Sequence, residues 1–311
     1  MLMSLSNKIR RRVNSKFADW FHAFAQGSKL HYLSEQVREL QKMNDYLMSL
    51  WLQGKPPSPN PLNSFGRKYF SQSDEDGILL EILRRIGKDH GVCLEIGAGD
   101  GTENNTLILA SRGWKTIWID AQPLAFDSDC NPRLLAHRRV FVNSENLCGV
   151  IDDCLKALEA DVIDVISIDV DGNDGYLARA LLDGGIRPEV FIVEINELIP
   201  PPINYQQPYL PNHVWDKSRN VGISLQSLAD LLSPYGYLCV GCNGQTGVNA
   251  FFVSETFAER FLDIPRPLGD LFVGRSIHPY KYRDHRTQID SRLIENILRS
   301  ARVGGEISPK N

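Results

Sequence analysis

Seven short apolar runs punctuate the chain between residues 92 and 254, and the segments between them constrain the fold more than any other feature. VCLEIG (92–97), TIWID (116–120), RVFVN (139–143), VISIDV (165–170), VFIVEI (190–195), YLCVGC (237–242) and AFFVS (250–254) have the length and composition of strands. Helical or mixed segments separate the first six, which implies a mostly parallel sheet covered on both faces. Only the turn-rich NGQTGVN divides the last two, so these are expected to pair as an antiparallel hairpin at the sheet edge.

The expected class is α/β: a Rossmann-like, mostly parallel seven-stranded sheet with a C-terminal antiparallel hairpin, preceded by N-terminal amphipathic or coiled-coil helices. With 311 residues, 42% of them hydrophobic and 23% charged, the chain can bury one large core. No apolar stretch approaches the roughly 20 residues of a membrane span. The opening MLMSLSNKIRRRVNSKF has no apolar run leading to a cleavage site, so a cytoplasmic protein is expected, with peripheral attachment at the inner face of the membrane as a variant. The six cysteines lie in apolar surroundings and read as reduced thiols, and Cys239 and Cys242 form a CxxC with no second pair to complete a zinc set. Net charge is −4, and residues 1–55 hold nine Lys/Arg against four Asp/Glu, leaving the remainder acidic. Nucleic acid is therefore not expected as a partner, because duplex binding needs clustered cations across the binding face.

Four regions are expected. Residues 1–53 read as helical. Ile9, Val13, Phe17, Trp20 and Phe24 recur at three- and four-residue steps beside a basic face, which suits docking on an anionic membrane surface or packing on protein. Leu33, Val37, Leu40, Asn44, Leu47 and Trp51 make either a short coiled-coil seam, implying a homo-oligomer, or an amphipathic helix lying on the domain. Residues 54–63, GKPPSPNPLN, read as a semi-rigid linker. The main domain spans 64–275 and opens with a helix whose Ser73 and Asp76 have capping-box spacing. Residues 276–311 close the chain with a helix and a tail.

In an open parallel sheet, ligands bind beyond the carboxyl ends of the strands where the topology reverses. There, Gly97, Gly99 and Gly101 follow the first strand and bring bare backbone to a ligand. Glu95, Asp100 and Glu103 stand around this turn, so a pyrophosphate would meet carboxylates while a cationic ligand would be favoured. S-adenosylmethionine carries a sulfonium and an ammonium, and helix N-terminal amides are expected to take its carboxylate. Asp120 closes the second strand, where an acid can accept both ribose hydroxyls; Asn143 and Ser144, with Glu145, follow the third and can reach an adenine edge.

This ordered set resembles the class I S-adenosylmethionine-dependent methyltransferases over residues 64 to 255. Within that class YFSQSDEDGILLEIL, CLEIGAGDGTENNTLILASRGW, VISIDVDGNDGY, RPEVFIVEINE and GVNAFFV look most like the FkbM-type family. The resemblance implies O-methylation of a hydroxyl on a sugar, glycan or secondary metabolite. The helices and linker before residue 64 and the loop PPPINYQQPYLPNHVW depart from the family pattern.

The candidate chemistry sits at the fourth and fifth strand ends, which release Asp169, Asp171, Asn173 and Asp174, then Glu194, Asn196 and Glu197. Asp169 is the candidate general base. Alternatively Asp169, Asp171, Glu194 and Asn196 hold Mg²⁺, which would lower the pKa of an acceptor hydroxyl. Asp171 and Asn173 are equally expected as turn formers. His213, in the proline-rich loop expected to cover the acceptor, is a second candidate base; Tyr205, Tyr209 and Trp215 either stack on a small-molecule or glycan acceptor or pin the loop. Two other readings remain: a metal-dependent glycosyltransferase using Asp169 and Asp171, and a non-catalytic oligomeric scaffold with a nucleoside pocket. An NAD oxidoreductase fits less well, since the glycine spacing departs from G-x-G-x-x-G.

Overall fold

The computed structural model describes residues 58–215 and 221–274, together with Tyr32, Gln36, Val37, Leu40, Ile294, Glu295, Leu298 and Arg299. Contacts divide the chain into two units, Met1–Pro57 and Ser58–Asn311. In the first, the four described residues are helical and exposed. The remaining positions of both expected N-terminal seams lie outside the described residues.

The second unit is α/β, built on one seven-stranded mixed sheet in the order β3-β2-β1-β4-β5-β7-β6. Its strands are β1 (Val92–Ile96), β2 (Lys115–Asp120), β3 (Leu135–Arg139), β4 (Val165–Ile168), β5 (Val190–Glu194), β6 (Tyr237–Cys242) and β7 (Asn249–Ser254). The first five pair in parallel, and β7 inserts antiparallel between β5 and β6. Helices α1 (Glu75–Ile86), α2 (Leu107–Ser111), α3 (Leu147–Ala157), α4 (Asp174–Asp183), α5 (Leu225–Leu232) and α6 (Leu268–Leu271) connect or flank them. Alternation along β2 serves two layers: Ile117 and Ile119 join the main apolar cluster, while Trp118 joins a second with Leu107, Leu134, Ile294 and Leu298. Among the described residues, no helix is long and apolar enough to cross a membrane.

Three expectations need correction. The third strand is Leu135–Arg139 rather than 139–143. Its partner β2 ends at Asp120, opposite Arg139, so Val140 makes the final hydrogen bond to Asp120 O at 2.8 Å and the apolar VFV overhangs, with Phe141 exposed. Pairing, not hydrophobicity, sets the limits of this edge strand. Part of the expected linker belongs to the folded unit: Pro61–Phe65 form a 3-10 helix capped by Asn60, whose Nδ2 donates to Val240 O, and Leu62 is buried. That carbonyl lies at the irregularity in β6 between Cys239 and Gly241.

The third correction concerns the capping box. Helix α1 begins at Glu75, and Asp76 does not reach back to Ser73; its Oδ2 accepts the backbone N–H groups of Tyr69, Phe70 and Ser71 at 2.6–2.9 Å. Ser73 instead donates to Glu75 through both its N–H and its hydroxyl. Consecutive buried acids therefore collect the donors of a turn that has no ladder to satisfy them.

Candidate functional site

The sheet order reverses between β1 and β4, the crevice where parallel sheets bind ligands. The ladders align the strand ends there. Ile96 lies opposite Ile119 and Ile168, Ile168 opposite Val193, and Glu194 opposite Asn249. One residue on, Gly97 N–H donates to Ile119 O and Asp169 N–H to Ile96 O, both at 2.9 Å, so the pairing continues. Asp120, Gly97, Asp169, Glu194 and Asn249 thus form one row along the carboxyl edge. Residues in register project to the same side of the sheet.

Two residues back on that side are Trp118, Glu95 and Ser167. Glu95 is 3% exposed, and its carboxylate accepts Asn105 N–H, Thr106 N–H and the Thr106 hydroxyl at 2.6–2.9 Å. The same hydroxyl accepts Trp118 Nε1–H at 2.8 Å. Burial raises the Glu95 pKa, and the hydrogen bonds from Thr106 and Asn105 pull it back. Glu95 was expected to face the cofactor, and the amides before α2 were expected to take a ligand carboxylate. The structure spends each on the other, so the anion site beside the glycine turn is filled by the chain's own acid.

The glycine turn follows from the same crossing of strands. Gly97 has φ 88°, and a Cβ there would lie 1.7 Å from Asp169 O. Gly99, at φ 55°, donates its N–H to Asp120 Oδ2 at 2.8 Å, while Asp120 Oδ1 accepts Gln122 N–H at 2.7 Å. A carboxylate offers about four lone-pair sites. Two on Asp120 thus remain for hydroxyl donors. Gly101, at φ 82°, packs under Leu124 and Phe126, and Asp100 folds back on Thr102 N–H at 3.1 Å. Asn143 Oδ1 accepts the N–H groups of Glu145 and Asn146, starting α3, and Ser144 N–H donates to Tyr209 Oη at 3.1 Å. Both stand beyond the third strand end, and these bonds run to loop and helix.

The structure brings Asp169, Asp171 and Glu194 together: one carboxylate oxygen from each lies within 4.8 Å of the others. Burial, then the nearby carboxylates Asp174 and Asp171, push Asp169 up to about 8; burial and Asp169 hold Glu194 well above the usual carboxylate range. Asp174 braces the loop between them by accepting Val170 and Gly172 N–H at 2.8 Å each, and Asp171 takes a left-handed φ of 54°. The turn-former and functional readings of Asp171 are therefore compatible. Asn196 is committed to its own loop, where Nδ2 donates to Val221 O and Oδ1 accepts Leu198 N–H.

The proline-rich loop is tied onto this edge. His213 Nε2 lies 3.0 Å from Asp171 O, Asn173 Nδ2 donates to Leu210 O, Tyr176 Oη–H donates to Gln207 O, and the Tyr176 and Tyr209 rings meet at 5.0 Å. His213 is thus beside the acid cluster, and Tyr209 pins the loop.

Sequence reasoning missed the wall beside β7. Glu75 Oε1 accepts from Ser73, Asn243 and Asn249 side chains, and Asp74 accepts Gly244 and Gln245 N–H along with Asn243 Nδ2. Three consecutive acids ahead of an apolar helix were the available signal. No protein-family model matches the chain, and no curated protein matches it.

Proposed function

We propose that the chain is an S-adenosylmethionine-dependent O-methyltransferase of Rossmann-like class I architecture, acting on a hydroxyl of a sugar, glycan or secondary metabolite. The observation that carries it is Glu95 seated on the amides before α2. A phosphate-bearing dinucleotide would need those donors, which Glu95 already holds, whereas a nucleoside without a pyrophosphate does not. The strand order and the resemblance to FkbM-type proteins support the same reading.

The residues fit such a cofactor. Asp120 has lone pairs left for two ribose hydroxyls, and Gly99 leaves open space where a side chain would stand. When bound, S-adenosylmethionine supplies an electrophilic methyl group. Asp169, next in the row, is placed to accept the acceptor's hydroxyl proton at its carboxylate, with burial and the nearby Asp174 and Asp171 raising its basicity. The loop carrying His213 closes this side, which orients the acceptor and limits water. Calorimetry on the full chain tests the cofactor assignment. Saturable binding of S-adenosylhomocysteine, weakened at least about tenfold by Asp120→Ala, is expected; binding of UDP-sugars with none of S-adenosylhomocysteine would transfer the site to glycosyl transfer.

A further inference from the structure

The row ends at Asn249, whose side chain has one atom unaccounted for. Asn249 is 4% exposed, and its Nδ2 donates to Glu75 Oε1 at 3.2 Å. A carboxylate partner fixes which end of the amide is nitrogen. Its Oδ1 therefore turns away from Glu75, and it is a buried atom without a hydrogen-bond partner. Leaving such an oxygen unsatisfied is costly, and native structures seldom do so without a ligand or a strain to explain it.

The neighbour on its free side is Glu194. Ile195 N–H bonds to Val248 O at 2.7 Å one step further along, so Glu194 and Asn249 form a non-hydrogen-bonded antiparallel pair. In such pairs the side chains share a face and the Cβ atoms approach to about 4.5–5.5 Å. Asn249 accordingly stands beside Glu194, one of three carboxylates, with Asp169 and Asp171, whose oxygens lie within 4.8 Å of one another. This corner concentrates negative charge and a buried lone pair with no donor of its own at Asn249.

We infer that Asp169, Asp171, Glu194 and Asn249 form a divalent-cation site, in which the Asn249 amide oxygen is a neutral fourth ligand positioned by Glu75. All four donors are oxygens, which selects a hard ion such as Mg²⁺ or Mn²⁺ over Zn²⁺. One ion satisfies both anomalies, the crowded carboxylates and the orphan amide oxygen. The inference stands on the row and not on the cofactor assignment, since it needs no nucleoside.

The test uses the full chain, stripped with a chelator and titrated with Mn²⁺ while free Mn²⁺ is followed by electron paramagnetic resonance. Uptake of one Mn²⁺ per chain, displaced by Mg²⁺, is expected, with Glu194→Gln abolishing it and Asn249→Leu weakening it at least about tenfold. No uptake at millimolar Mn²⁺, or uptake unchanged in Glu194→Gln, overturns the site; unchanged affinity in a folded Asn249→Leu removes Asn249 from it. Should Asn249→Leu fail to fold, Asn249→Asp decides. A carboxylate there is expected to tighten Mn²⁺ severalfold, and equal or weaker binding overturns the assignment. Because Mn²⁺ is added without nucleoside, a failure here leaves S-adenosylhomocysteine binding standing, and the reverse holds.

Discussion

Glu95 and Asp169 occupy the same face of adjacent strands and are handled in opposite ways. Glu95 is met by three donors, two of them backbone amides, so its charge is held by the fold. Asp169 is met by other acids: Asp171 and Glu194 crowd it, and burial pushes it up to about 8. The first arrangement uses a carboxylate as a brace for the segment that starts α2. The second stores an unfavourable grouping that only a proton, a cation or a substrate donor relieves. Perturbed groups of this kind concentrate where chemistry is done, while satisfied ones hold the scaffold. Under the proposed function the β1–β2 half of the edge supports the fold and the cofactor, and the β4–β5–β7 half is the one expected to react.

The sharpest way to break this contrast is to remove the brace. Glu95→Ala leaves the Asn105 and Thr106 amides and the Thr106 hydroxyl without their acceptor inside the fold. A loss of about 3–5 kcal/mol in urea unfolding is expected, with Glu95→Gln retaining part of it. A loss under about 1 kcal/mol would show that water replaces the carboxylate and that Glu95 braces nothing.

Asp169→Asn should act with the opposite sign. The Asp169 pKa is near 4 in the unfolded chain and about 8 in the fold, so the folded state binds the extra proton between those values. The stability linked to that proton is fully present below pH 4 and is lost as pH rises to 8. The variant, measured with a chelator present, is expected to be more stable than the native chain at pH 9 by roughly 2 kcal/mol and nearly equal to it at pH 4. Turnover should meanwhile fall at least about 100-fold, with S-adenosylhomocysteine affinity kept. Equal thermal unfolding of the two proteins at pH 9 would mean that the carboxyl is not strained, and unchanged turnover would remove it from the chemistry.

The division between the halves also explains what could be read from the sequence. The buried parallel strands were legible because they are continuous apolar runs, as in VISI and VFIV. The Asp169–Glu194 meeting was legible because both acids end such runs on consecutive strands. Partner choice was not. Glu95 looked like a ligand-facing acid until Thr106, eleven residues on, folded back onto it; a sequence shows the acid without showing the amides that will claim it. The limits of β3 failed for a related reason, since the end of β2 fixes them. Asn249 was invisible because its meaning depends on Glu75, 174 residues earlier in the chain.

The smallest effect expected lies in the loop over the reactive half. Tyr209 Oη accepts Ser144 N–H at 3.1 Å, and its ring packs on Tyr176. Tyr209→Phe keeps the ring contact and deletes only the acceptor, so the cost is that of one part-buried hydrogen bond, at most about 1 kcal/mol. Global stability should hardly move. Local opening should show it, as roughly fivefold faster hydrogen exchange at the Ser144 amide. The spread of that change is the informative part, because Asn173, Tyr176 and His213 anchor other points of the same loop. If the anchors act as one unit, backbone amides from Gln207 to His213 speed up together with Ser144. Acceleration confined to Ser144 would mean that the loop is held by its contacts with the Asp171–Asn173 turn, and that its closure follows the acids beneath it rather than the third strand end.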